Sequence, residues 1–167
     1  MTPNKITPII AGTAVMTLTG IIPIINIVNL LCCAGIIAGG YAGVYTYWKQ
    51  MSNAGLVITS KDGGMIGILC GILSAIFVTG FGLLISLFSE VNPMEEVLKS
   101  FDELGFALPP EMSQYTEKFS NEFSEYGFSP TITLVTFITN MIIYPLFGSI
   151  GAIIGVTVLN KKTTPKI

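Results

Sequence analysis

The chain has 167 residues, room for one domain, with 8 basic and 10 acidic side chains and a net charge of −2. Only 11% of its residues are charged, against roughly 25% in a soluble domain, and the mean hydropathy of +0.72 points to lipid rather than water around it. It has no His, so the usual base at neutral pH and the commonest metal ligand are both missing. It also has no basic run with interleaved aromatics, so a nucleic-acid partner is not expected.

The charge-free run Ile6–Trp48 is about twice the ~20 residues that one membrane helix needs, so it must hold two spans and a reversal. Pro23 cannot donate a helical hydrogen bond and disfavours helix at Ile22, while Asn26 and Asn29 suit a turn or a cap. Span one is expected at about 7–22, a turn at 23–28 and span two at about 29–48. A kinked or re-entrant segment is the alternative. The first apolar run is followed by no small-x-small cleavage site, so an uncleaved span is expected rather than a signal peptide.

Tyr45, Tyr47 and Trp48 read as an interfacial aromatic belt at the end of span two, with Lys49 on its water side. After the loop "QMSNAGLVITSKDGG", Ser60 is the expected cap of span three, at about 62–88, with Asp62 in its first turn.

An acidic segment follows at 90–128. It holds nine of the ten carboxylates and only two lysines, Lys99 and Lys118. "NPMEEVLKSFDELG" reads as an amphipathic helix with Met94, Val97, Leu98, Phe101 and Leu104 on one face. "PPEMSQYTEKFSNEFSEYG" repeats the design from Pro110 to Gly127, with Met112, Tyr115, Phe119, Phe123 and Tyr126 in a stripe. The two would form a helical hairpin that packs on the span ends or in the lipid interface, covers a cavity, or docks a partner. Span four is expected at about 131–159, with Pro145 kinking it.

The fold class is therefore all-α: a single integral membrane domain of four transmembrane helices in two hairpins, with an extracytoplasmic amphipathic helical hairpin. Four crossings put Lys5, Lys49, Lys61, Lys161, Lys162 and Lys166 on one side and the acidic segment on the other. The positive-inside rule then places both termini in the cytoplasm of a cell whose inner membrane holds the chain.

Within the spans the most specific pattern is small-residue spacing. Gly35, Gly39 and Gly43, then Gly63, Gly67 and Gly71, then Gly151 and Gly155 each recur at four-residue intervals, which makes a flat ridge for close helix approach. Such ridges pack within one bundle, between copies of the chain, or against a larger membrane complex. The order Gly39, Gly43, Lys49 returns as Gly151, Gly155, Lys161, a weak echo suggesting two related hairpins.

Chemistry is sparse. Cys32, Cys33 and Cys70 have no CxxC spacing and no His to complete a metal set, so they are read as packing residues. No phosphate loop or dinucleotide fingerprint occurs, so no catalytic residue, cofactor or metal is assigned and an enzyme is not expected. Charged residues are absent from the span interiors, which disfavours a proton-coupled carrier. A passive pore could use Asn26, Asn29, Asn140 and Tyr144, with Thr136, Ser74 and Thr79. The favoured expectation is a structural or accessory membrane protein associating through its glycine ridges. The second is a small homo-oligomeric channel or uncoupled transporter.

"GGYAGVYTYWKQ", then "GLVITSKDGGMIGILCGILSAI", an acidic segment ending "FSP" and a last span ending in Lys-Lys together resemble a class of short four-span prokaryotic membrane proteins of unknown function, common in Bacteroidota. The resemblance implies an inner-membrane location and no assigned activity.

Overall fold

The computed structural model describes residues 4–22, 33–88, 103 and 110–163. Among them are five helices and no strand: α1 Ile6–Ile21, α2 Ala34–Asn53, α3 Ser60–Phe88, α4 Pro110–Tyr126 and α5 Pro130–Thr163. The expected turn at 23–28, Cys32 and the first amphipathic helix around 92–105, apart from Glu103, lie outside the described residues.

The all-α expectation holds, but the expected set of four spans needs correction. Among the described residues only α3 and the Pro130–Lys161 part of α5 are long and apolar enough to cross a bilayer. α1 has 16 residues, and at 1.5 Å per residue it extends about 24 Å against ~30 Å of hydrocarbon. α2 is displaced from the expected 29–48. It begins at Ala34 and continues past Trp48 to Asn53, so Lys49, Gln50, Ser52 and Asn53 fill its last turns. The aromatic-to-lysine boundary marks a change of polarity, yet a lysine does not stop a helix.

What stops α2 is a Schellman turn. Gly55 adopts a left-handed φ of 69°, Gly55 N–H donates to the Ser52 carbonyl at 3.0 Å, and Leu56 N–H donates to the Met51 carbonyl at 2.9 Å. The cap of α3 also sits one residue earlier than expected. Thr59, not Ser60, accepts the Asp62 N–H at 3.1 Å, and its hydroxyl donates back to the Asp62 carboxylate at 2.7 Å. This is the reciprocal capping arrangement, which needs a three-residue spacing that Ser60 does not have. α4 matches its expected limits from Pro110 to Tyr126, and Gly127 ends it with a φ of 74°. Pro145 lies inside a continuous α5.

The chain forms two compact units, Met1–Val78 with Thr139–Ile167, and Thr79–Ile138. In the first unit, α1, α2, the start of α3 and the end of α5 pack together. Gly12 lies against Gly39 and Gly43, so α1 and α2 are antiparallel. Gly63, Gly67 and Gly71 meet Val156, Gly148 and Pro145 in turn, so α3 and α5 are antiparallel as well. The same contacts show α2 parallel to α5, since Ile37 lies against Gly151 and Val44 against Gly155. The core between them is Met16, Val44, Ile66, Cys70, Ala75, Tyr144, Ala152, Val156 and Leu159. In the second unit, α4 leads through Gly127 into the start of α5, and Gly127 lies near Leu87 of α3.

Candidate functional site

The densest arrangement of unusual residues is the glycine seam of the first unit. A Cβ placed on Gly67 would lie 2.5 Å from the Gly148 carbonyl oxygen and 2.7 Å from Ser149 Cα. At Gly71 it would overlap the backbone of Pro145 and Tyr144, at Gly151 the Ile37 carbonyl, and at Gly40 the Gly148 carbonyl. These neighbours are backbone and cannot rotate away. The helices therefore approach as closely as the absence of side chains allows, and dispersion between their backbones replaces a hydrophobic drive.

Each ridge glycine has a definite position. Gly39 faces Met16 and the Gly12 carbonyl, Gly43 faces Cys70, Pro8 and Ile66, Gly63 faces Val156, and Gly155 faces Tyr41 and Val44. Gly35 is buried at the start of α2. Sequence spacing did not pick out Gly12 and Gly40. The signal for Gly40 was the Gly39-Gly40 doublet, whose members point about 100° apart on a helix and so serve α1 and α5 separately.

A small polar group crosses the seam between α1 and α3. The Ser74 hydroxyl donates to the Cys70 carbonyl at 2.7 Å, with the Thr13 carbonyl 3.3 Å away. The Cys70 thiol points at the Ile9 carbonyl at 3.4 Å, and the Thr13 hydroxyl lies 3.5 Å from the Cys70 carbonyl. Thr13 and Ser74 are buried, and their hydroxyls meet backbone carbonyls rather than a lumen. Cys33, just before α2, has a left-handed φ of 59°.

Of the residues named for a pore, Asn140 and Tyr144 stand one turn apart on α5. Asn26 and Asn29 lie outside the described residues. Tyr144 is buried in the core, where its hydroxyl approaches Gly20, and Ser74 is engaged as above. Asn140 and Thr79 are half-buried and Thr136 is exposed. Among the described residues, no group of three His, Cys, Asp or Glu side chains could hold a metal ion.

Two polar clusters escaped the sequence reading. At one end of the first unit, Lys5 donates to Asp62 at 2.7 Å and stands 5.9 Å from the ring centre of Tyr47, and Asn160 donates to the Ile58 carbonyl at 2.8 Å. The hydrogen bond to Asp62 holds the Lys5 ammonium above its ordinary pKa. In the second unit, Glu122 on α4 clasps the start of α5. The Ser129 hydroxyl donates to one carboxylate oxygen, while the Thr131 hydroxyl at 2.6 Å and the Thr131 N–H at 3.1 Å complete the clasp. Ser129 in turn accepts the Ile132 N–H at 3.2 Å as the N-cap of α5. The hydroxyls of Ser129 and then Thr131 hold the Glu122 carboxyl below the usual carboxylate range. "SP" before an apolar run was a readable start signal, but the Glu122 contact spans a chain reversal and had none.

Comparisons of the chain with family models, with curated proteins and with solved structures give no match.

Proposed function

We propose that the protein is a multi-pass inner-membrane protein with a structural or accessory role, whose glycine ridges build its own helical bundle. The observation that carries this reading is the outward distribution of apolar side chains. In the most apolar stretch of α3 only 22% of the residues are buried, and in that of α5 39%. A core helix of a water-soluble fold would bury most of such a surface. Here Ile68, Leu73, Ile76, Phe77, Phe81 and Ile85 point away from the protein, where acyl chains would cover them.

Four crossings remain part of the proposal. α1 would complete the set as a short helix within a locally thinned bilayer, and α2, 20 residues long, with its polar last turns beyond the hydrocarbon. Supporting this, Lys5, Lys61 and Lys161 belong to helix ends that the Lys5–Asp62 and Asn160–Ile58 contacts bring together, which favours one lysine-rich, cytoplasmic face.

The test is alkaline extraction of membranes from expressing cells, followed by mild-detergent purification with mass measurement. The chain is expected to stay in the membrane and to appear in a defined assembly. Release as a monodisperse protein without detergent would refute the reading. Solute flux from liposomes holding only this chain would favour the channel alternative instead.

A further inference from the structure

We infer that α4 is an interfacial helix, lying in the headgroup layer of a zwitterionic bilayer with its Tyr115–Tyr126 edge against the lipid. This rests on the membrane reading above and adds a binding surface to it. Three observations within the second unit support it.

The first is position. α4 ends at Tyr126, only three residues before Ser129 caps the apolar helix α5. A Cβ placed on Gly127, at the elbow between them, would lie 3.8 Å from a Leu87 methyl at the far end of α3. The ends of the two bilayer-length helices thus meet at the elbow, and α4 leaves from the level at which both would emerge from hydrocarbon.

The second is the composition of that level. Phe88 is 85% exposed, Tyr115 62% and Tyr126 52%, and Tyr126 pairs with Phe128 at 6.5 Å. Tyrosines with an exposed ring and a polar tip are the side chains that collect where acyl chains meet headgroups. Phe119 and Phe123, further round α4, are half-buried, so the exposed edge is the tyrosine edge, with the Tyr115 ring tilted toward Phe119 at 6.5 Å.

The third is charge. At 100° per residue, Glu122 falls about 20° from Tyr115 and about 40° from Tyr126, still on the same edge, where a free carboxylate would oppose burial in lipid. Its oxygens are instead taken up by the Ser129 hydroxyl and by the hydroxyl and N–H of Thr131. The clasp that caps α5 thereby satisfies the carboxylate's acceptors, Lys118 stands 3.9 Å from it as a counter-charge, and the last turn of α4 is fixed to the elbow. Two further carboxylates of α4, Glu117 and Glu125, are exposed. They make a zwitterionic surface a better partner than an anionic one.

The experiment uses the full chain in phosphatidylcholine bilayers, with Trp48→Phe removing the native indole. In that background Tyr115→Trp reports on α4, and in a separate variant Ile85→Trp reports on α3 as an internal control. Lipids brominated near the glycerol and acrylamide in the water serve as quenchers. The inference expects the indole introduced at position 115 to emit with a blue shift, to be quenched by the bromolipids and to be shielded from acrylamide. Adding Glu122→Ala is expected to reduce that quenching, because the last turn of α4 is released. If the indole at position 85 is quenched by bromolipid and the one at position 115 emits as in water, α4 stands clear of the bilayer. The inference then falls while the membrane reading survives. If neither is quenched, both fall together.

Discussion

The two halves of α3 show what glycine means in two settings. In the half up to Val78, Gly63, Gly67 and Gly71 meet side chains or backbone of α5 closely enough that no Cβ fits. In the half beyond it, Gly80 and Gly82 have nothing within 4 Å, and the apolar residues around them are exposed. The same residue type in one continuous helix is thus a contact surface on the ridge facing α5 and bare helix surface elsewhere, at Gly64 in the first unit as at Gly80 and Gly82 in the second. The two units are also held differently. The first relies on backbones in close approach, the second on a carboxylate and hydroxyl clasp at the start of α5. Gly80 and Gly82 stand off the four-residue register of Gly63, Gly67 and Gly71, so they share no ridge with them.

The comparison breaks most visibly at Gly71. Gly71→Ala would push a methyl into the backbone of Pro145 and Tyr144, and we expect a loss of about 3 kcal/mol, the upper end for overpacking, read as a lowered midpoint of thermal unfolding in detergent. A variant as stable as the wild type would show that α3 and α5 do not approach this closely.

The elbow of the second unit is the next test. Ser129→Ala should cost about 1 kcal/mol through the lost N-cap, read as faster amide exchange in the first turn of α5. pH probes the same clasp. Glu122 has its pKa depressed in the folded chain, so its contribution is complete above the ordinary carboxylate pKa. It is lost as pH falls through the depressed value. The protection of the Thr131 amide, its exchange measured against the intrinsic rate at each pH, should therefore fall on acidification, and Glu122→Gln should abolish that dependence.

Gly80→Ala sharpens the comparison from the other side. With open space around it, the new methyl should stabilise the helix by about 0.8 kcal/mol through propensity alone, opposite in sign to Gly71→Ala. A matched pair of thermal unfolding curves checks both variants at once. Smallest of all, Ser74→Ala should cost at most about 0.6 kcal/mol, because its hydroxyl bonds the Cys70 carbonyl one turn back on its own helix and only the 3.3 Å approach to the Thr13 carbonyl crosses to α1. The same curves should show a shift just above error.

Much of the architecture could be read directly because local chemistry determines it. Pro110 and Gly127 bracket α4, and the apolar runs of α3 and α5 match their helices within a few residues. The glycine ridges were legible as faces. Errors arose where a boundary depended on backbone conformation rather than polarity. α2 runs to Asn53 because Gly55 is the residue that adopts a left-handed turn, and Lys49 has no means of ending a helix. The cap of α3 falls on Thr59 because reciprocal bonding with Asp62 needs that spacing. The partners of Glu122, Lys5 and Asn160 were illegible for a further reason. Each contact joins elements whose approach is set by packing elsewhere.

The placement of Gly148 has a consequence for biosynthesis. Gly40 of α2 and Gly67 of α3 both lie against it, and Asn160 secures the Ile58 carbonyl in the connection between those two helices. A chain emerging from the ribosome has made its first three helices before any of these partners exists. A nascent chain arrested before Thr139 therefore carries two unfilled grooves and an unfinished connection. The final helix is the keystone that fills them, and a chain cut before Gly148 should leave the first unit unfinished even though its first three helices are all present.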